Sequence, residues 1–358
     1  MRPWLEISAA ALTANARAIG RLTAPAQLCA VVKSNAYGHG LVPASQAIAA
    51  AGVPGLGFGV FRAAEGLAMR AAGISEPILV LGPVDEPDVA ELVAAEIELG
   101  LTDEGDVESY GRRHATVHLK VETGTSRFGV APLRALIAAD RLRELGATVV
   151  GIYSHLADSE ELDASFAREQ LARLMESSNI VGGRPIRHIA ASAAALMWPE
   201  FRLEMVRCGI AMYGAWPSES VRERMAEITP TFALQPALRF FAPIVHMMDV
   251  ASGDTVGYGC EYRTARESRI AVLPVGYADG LPRAAGQESF SVMLGALRAP
   301  IVGRICMNAC MIDVTECKPQ PVRGDVAEFD IDELAKAADT INYEVLARLS
   351  PELERRYD

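Results

Sequence analysis

Lys33 ends the apolar run in AVVKSNAYGHG, Ala30 to Gly40, and it is the first of several side chains that could do chemistry together. A lysine in such a place is ordinarily a surface residue snorkelling to water. Partly desolvated and close to other cations, its amine would shed a proton more readily and become a nucleophile for imine formation. Arg127, His155, Ser192 and Arg207 also stand at, beside or within later apolar runs. Ser192 and the backbone amides of Gly209 and Ile210 would form a cradle for a phosphate group. An imine-forming lysine and a phosphate cradle together indicate pyridoxal phosphate.

These residues can meet only if the elements carrying them converge. The opening SAAALTANARAIGRL reads as an amphipathic helix with Ser8 as its cap. Short apolar runs then alternate with helical patterns such as RAAEGLAMRAAG, DVAELVAAE and FAREQLARLMESS. The strand candidates are LCAVVK, GLGFGVF, PILVLG, IELGLT, TVHLKVE, TVVGIYSH, IRHIAAS and EMVRCGIAMYG. Eight β/α units over about 200 residues predict an α/β fold, a (β/α)8 barrel of the TIM type, more than an open sheet. In such barrels the chemistry lies at the C-terminal ends of the strands, and Lys33, Arg127, His155, Ser192 and Arg207 all map there. The glycines of GLGFG lie inside a strand, without the third glycine of a dinucleotide fingerprint.

Beyond about Pro230 the pattern changes to short β-like runs separated by turns, then the helical IDELAKAAD and YEVLARL. The expected division is 1–230 as the barrel and 231–358 as a β-rich domain, with the first few residues packing on the latter.

The 358 residues carry a formal net charge of -11, and no dense Lys/Arg cluster offsets it, which argues against nucleic acid as a partner. No apolar segment approaches the length of a membrane helix, and MRPWLEIS lacks the apolar core of a secretory signal, so the expected location is cytoplasmic. Six irregularly spaced cysteines fit reduced thiols. Cys306 and Cys310, in CMNAC, lack a second Cys/His pair at zinc spacing, so no metal is expected.

AVVKSNAYGHG resembles the cofactor-lysine signature of alanine racemases, which are fold type III pyridoxal phosphate enzymes. Further segments match that family in order along essentially the whole chain: FGVFRAAEGLAMRAAG, LKVETGTSRFGV, YSHLADSE, VRCGIAMYG, VGYGCEY, PVGYADGLPR, GRICMN and NYEVL. The resemblance implies that Lys33 carries the cofactor and acts as the base on one face of the substrate's α-carbon. It places the opposing base, a tyrosine lent by the β domain of a partner subunit, at Tyr258, and so implies a homodimer with shared active sites.

By the same resemblance His155 lies close to that tyrosine and Arg207 faces the pyridine nitrogen of the cofactor. A guanidinium does not deprotonate in proteins. It would leave the ring nitrogen unprotonated, a weaker electron sink that favours quick reprotonation over decarboxylation or transamination. Arg127 matches the arginine that holds the substrate carboxylate. Lys120 matches a lysine that some members carry as a carbamate, and a plain strand lysine fits the position equally. Tyr37, Ser192, Gly209, Ile210 and Tyr343 match phosphate contacts, Tyr277 lines the substrate entrance, and Met307 and Asn308 match the pair whose amides approach the substrate carboxylate. Asn308 departs from the family pattern, which has aspartate after the Cys-Met pair, and this leaves a serine or broad-specificity racemase as the alternative to alanine. A supply of D-alanine for peptidoglycan and the breakdown of alanine are both compatible with the sequence. Decarboxylases of the same architecture need an acidic partner for the ring nitrogen, and Arg207 argues against them. A non-catalytic pyridoxal phosphate carrier would be a barrel alone.

Overall fold

The computed structural model describes residues 1–286 and 289–358. The chain forms two compact units, one of Ala9–Ala36 and Leu41–Pro236, the other of Met1–Ser8, Tyr37–Gly40 and Ala237–Asp358. The first strand, β1 (Trp4–Ile7), belongs to the second unit.

The next eight strands close a parallel barrel: β2 (Gln27–Val31), β3 (Gly57–Val60), β4 (Ile78–Val80), β5 (Glu98–Leu101), β6 (Thr116–Lys120), β7 (Thr148–Tyr153), β8 (Ile186–His188) and β9 (Met205–Cys208). Closure comes from β2 pairing with β9, where Cys29 lies opposite Arg207. Both faces of the strands are covered, which is why they read as nearly continuous apolar runs. Helix Ala9–Thr23 shows the complementary logic. Its Leu12, Ala16 and Ile19 repeat at helical spacing and are buried, while Arg17 and Arg21 are left on other faces. Among the described residues no helix is long and apolar enough to cross a membrane.

The second unit is built on a mixed nine-stranded sheet. In addition to β1 it uses β10 (Leu238–Pro243) and β11 (His246–Val250). A separate hairpin of β12 (Thr255–Val256) and β13 (Tyr262–Arg263) comes next in the chain. The sheet continues with β14 (Ser268–Leu273), β15 (Ser291–Leu294), β16 (Leu297–Val302), β17 (Cys310–Asp313), β18 (Val326–Phe329) and β19 (Glu354–Tyr357). The strand order is β11-β14-β17-β16-β15-β18-β10-β1-β19, with β1 antiparallel to β10 and parallel to β19. Its core includes Phe240, Phe290 and Phe329, the last two stacked at 6.0 Å. The run LRFFAPIVHMMDV, continuous in sequence, is split between β10 and β11, because the chain changes partners: β10 pairs with β1 and β18, whereas β11 pairs with β14.

Candidate functional site

The expected barrel residues gather at the C-terminal ends of the strands. The first strand ends at Val31, two residues earlier than the sequence suggests, and Lys33 opens a turn in which Ser34, Asn35, Ala36 and Tyr37 all have φ between 50° and 56°. Left-handed conformation costs about 1 to 2 kcal/mol per non-glycine residue, so this turn must be held by its surroundings. The Glu65 carboxylate accepts from the amides of Ser34 (2.7 Å), Phe61 (2.9 Å) and Arg62 (3.0 Å) and so ties the turn to the loop after β3. Asn35 accepts from the amide of Leu41 at 2.8 Å. Gly38 follows at φ 81°, where an added Cβ would lie 2.2 Å from the carbonyl oxygen of Leu346. No sequence pattern announced this turn, since its residues are not glycines.

Lys33 is half-buried, with its ammonium 6.0 Å from the centre of the Phe61 ring. Burial lowers its pKa, and the charge of Arg127 lowers it further, against an opposing pull from Glu65. Lys120, buried at the end of β6 with its amine over Phe128, is brought down to about 8 by burial and then by Arg127 and Arg207.

Arg207 is only 4% exposed and donates to four neutral groups. They are Nδ1 of His188 at 2.7 Å, the carbonyls of Ser154 at 2.7 Å and Ile189 at 3.2 Å, and Nδ1 of His155 at 3.4 Å. Because a guanidinium can only donate, Nδ1 of His155 accepts, and the proton of the neutral ring is on Nε2. Burial, reinforced by Arg207 and Arg127, depresses the pKa of His155 to about 3, so the ring is neutral at physiological pH. Ser192 opens helix Ser192–Met197, and its hydroxyl accepts from the amides of Gly209 (3.0 Å) and Ala211 (3.4 Å). The expected cradle is therefore internally bonded at Gly209, with Ile210 between the two bonded residues. The Tyr213 hydroxyl donates to the carbonyl of Val31 at 3.0 Å, which joins the end of β9 to the strand that leads to Lys33.

Residues not singled out by sequence reasoning complete this arrangement. Gln170 is fully buried. It donates to the His155 carbonyl (3.0 Å) and to Thr123 (3.2 Å) and accepts from the Ala157 amide (2.9 Å), so it fixes the segment after β7. Its signal in the sequence was a glutamine in register with the buried positions of its helix, which alone is weak. The donor set fits pyridoxal phosphate. Lys33, Arg127 and Arg207 supply an amine with a lowered pKa and fixed positive charge, while the carboxylate that pulls the Lys33 pKa the other way, that of Glu65, is taken up by backbone amides.

The remaining candidates lie in the second unit. Tyr258 occupies the turn between β12 and β13, flanked by Gly257 (φ 78°) and Gly259 (φ 80°), and is 70% exposed. Beside it runs an apolar groove lined by Met248, Val250, Ile270, Val272 and Met311. Tyr277 and Met307 are brought together, since the Tyr277 amide donates to Cys306 and the Ala278 amide to Met307. Met307 is 56% exposed, and Asn308 beside it is exposed too. Tyr37 and Tyr343 face each other with ring centres 6.2 Å apart. Cys310 is buried in β17, and burial pushes its thiol pKa up, whereas Cys306 lies outside that strand.

The chain matches two family models, "Alanine racemase, N-terminal domain" over residues 7–217 and "Alanine racemase, C-terminal domain" over 237–357. It is 37% identical to an alanine racemase of Methanococcus maripaludis, over 99% of this chain and 98% of that protein. Among solved structures, an alanine racemase of Clostridium difficile superposes with a TM-score of 0.91 at 29% identity, covering 100% of this chain and 96% of the other. One from Streptomyces coelicolor superposes with a TM-score of 0.90 at 33% identity, covering 99% and 98%.

Proposed function

The chain belongs to the alanine racemase family, and from that premise we propose that it interconverts L- and D-alanine by a two-base mechanism in which Lys33 and Tyr258 exchange protons with opposite faces of the α-carbon. Pyridoxal phosphate, when bound, supplies the electron withdrawal that lets a proton leave that carbon. The observation that carries the reading is the cluster of Lys33, His155 and Arg207 at or next to the ends of barrel strands, with Arg127 on the loop after β6 and a lysine whose pKa is lowered. Lys33, whose lowered pKa favours a neutral Nζ, would hold the cofactor covalently and, once displaced from it by the substrate's amine, would be free to accept a proton from the α-carbon. Arg127, exposed and cationic, is suited to orient a carboxylate. Arg207, which donates to neutral acceptors, would bring a fixed positive charge to the cofactor's ring nitrogen without protonating it. His155, neutral with its proton on Nε2, has a donor with which to stabilise a phenolate. Ser192, Gly209, Ile210, Tyr37 and Tyr343 would hold the phosphate.

In this reading 1–230 forms the cofactor-binding barrel and 231–358 contributes the second base. Each active site borrows Tyr258 from the partner of a homodimer. The exposure of that phenol beside an apolar groove supports the assembly, because an uncovered apolar patch is characteristic of an interface. Sedimentation across a dilution series, followed alongside activity, tests it: full activity in a monomer would refute shared sites. Lys120 is assigned as a carbamate, for which a buried amine titrating near 8 offers a reactive neutral fraction. A carbamate carbon signal under labelled bicarbonate, absent in Lys120→Ala, is the expected result. Tyr277 would line the substrate entrance and the amides of Met307 and Asn308 would approach the substrate carboxylate, and the neutral side chain of Asn308 keeps serine as the second reading. Loss of optical rotation is to be followed separately with L-alanine and L-serine. Much faster turnover of alanine is expected, and equal or faster serine turnover would replace the alanine assignment.

A further inference from the structure

Arg207 is the end of a line of polar groups that crosses the inside of the barrel. Since the guanidinium only donates, Nδ1 of His188 must accept from it, which leaves the proton of the neutral ring on Nε2. That nitrogen lies 2.8 Å from Nδ1 of His118 and donates to it. The proton of His118 is then on Nε2, 3.1 Å from Oε2 of Glu98, which accepts. One donor-only group thus fixes the direction of three successive hydrogen bonds.

The path runs from the third residue of β9 to the first of β5, from the interior of the barrel to the end where its strands begin. A cavity of about 210 Å³ lies at that end, lined by Gln27, Gly57, Glu98, His118, Ile186 and Met205. His118 is 1% and His188 0% exposed, whereas the Glu98 side chain is 28% exposed. The barrel makes room for the path. β7 stands between β6 and β8, and at Gly151 an added Cβ would lie 2.0 Å from Nδ1 of His118, the atom that accepts from His188. Tyr153, two residues on, stacks on His188 at 4.7 Å and 3° and holds the plane of its ring.

We propose that Glu98 and His118 are positioning residues for Arg207, acting through His188. They hold the guanidinium in one orientation and supply its counter-charge through two neutral rings from the far end of the barrel. A carboxylate bonded directly to Arg207 would compete for the N–H groups that face the cofactor, whereas a remote one leaves them available. This inference rests on the reading that Arg207 meets the cofactor's ring nitrogen.

The test uses holoenzyme labelled with ¹⁵N-histidine, in wild type and in Glu98→Gln, His118→Phe and Arg207→Lys, with the melting temperature measured for each. In the wild type, His118 and His188 are expected as neutral Nε2–H tautomers joined by a hydrogen bond. Glu98→Gln keeps an acceptor but removes the charge. It should move both Nε2–H signals upfield, shift the visible absorption of the bound cofactor and lower kcat about threefold with KM nearly unchanged, and His118→Phe should lower kcat about tenfold. Histidine signals, cofactor absorption and kcat that all stay at wild-type values in Glu98→Gln would overturn the proposal, and this variant decides the matter even if His118→Phe does not fold. If Arg207→Lys shifts the cofactor spectrum while the other two variants do not, the relay fails and the reading of Arg207 stands. If Arg207→Lys also leaves the spectrum unchanged, that reading itself falls.

Discussion

The barrel interior and the turn at Tyr258 solve opposite problems. Arg207 is 4% exposed and has four acceptors around it, whereas Tyr258 is 70% exposed on a two-stranded hairpin between glycines. In the barrel, the cost of burying charge is met by hydrogen bonds from strand ends and neighbouring rings, so the chemistry is organised within one unit. At the hairpin a side chain of catalytic type is displayed with little of its own surroundings around it. In the proposed homodimer, the barrel would bring its own hydrogen-bonded half of the site, and the position of the Tyr258 phenol would be fixed by what covers it.

Substitutions can separate the two halves. The largest expected effect is that of Lys33→Ala, which should abolish the visible absorption of the bound cofactor and lower racemisation by about 10,000-fold or more. Retention of either signal would remove the barrel half from the chemistry. Tyr258→Phe deletes one exposed hydroxyl and should lower racemisation by about 100- to 1,000-fold, with the melting temperature unchanged. A variant that lost stability together with activity would mean that the hairpin is a structural element and not a display for the phenol.

Acid should expose the difference next. The folded pKa of His155 is about 3 and that of His188 is also depressed, both through burial in the first place and then Arg207, below an ordinary value near 6.5. The unfolded chain therefore binds more protons as the pH falls, so stability is full above pH 6.5 and declines from there down toward 3. The expected slope is up to about 1.4 kcal/mol per pH unit for each histidine. Urea unfolding at several pH values would measure it, and His155→Gln should flatten the curve. The smallest effect is predicted for Glu65→Gln. It weakens the carboxylate's hold on the Ser34 amide of the left-handed turn and on the Phe61 and Arg62 amides of the loop after β3, and should cost about 1 to 3 kcal/mol in urea unfolding. It should also reduce cofactor affinity, measured by titration of the apoprotein. An unchanged affinity would mean that the turn at Lys33 holds itself.

Much of the architecture was legible in the chain, for reasons tied to particular residues. The eight apolar runs were readable because a parallel barrel buries both faces of each strand, and the lysine, arginine and histidine at their ends stood out against that background. The left-handed turn was not readable, because Ser34, Asn35 and Ala36 carry no local preference for it strong enough to register, and its first amide, that of Ser34, is held by Glu65, 31 residues away. Nor was the relay. His118 and His188 look like ordinary polar residues within strands, and the space that lets them touch comes from Gly151 on the strand between.

By itself, then, the sequence determined the alternation of strands and helices, the family and the chemical types available at the strand ends, since each follows from local pattern and composition. The tertiary structure decided which of those groups meet, which nitrogen of His118, His155 and His188 bears the proton, and that the charged forms of Lys33 and His155 are disfavoured. These depend on distances and burial between residues far apart in the chain, which no local pattern encodes.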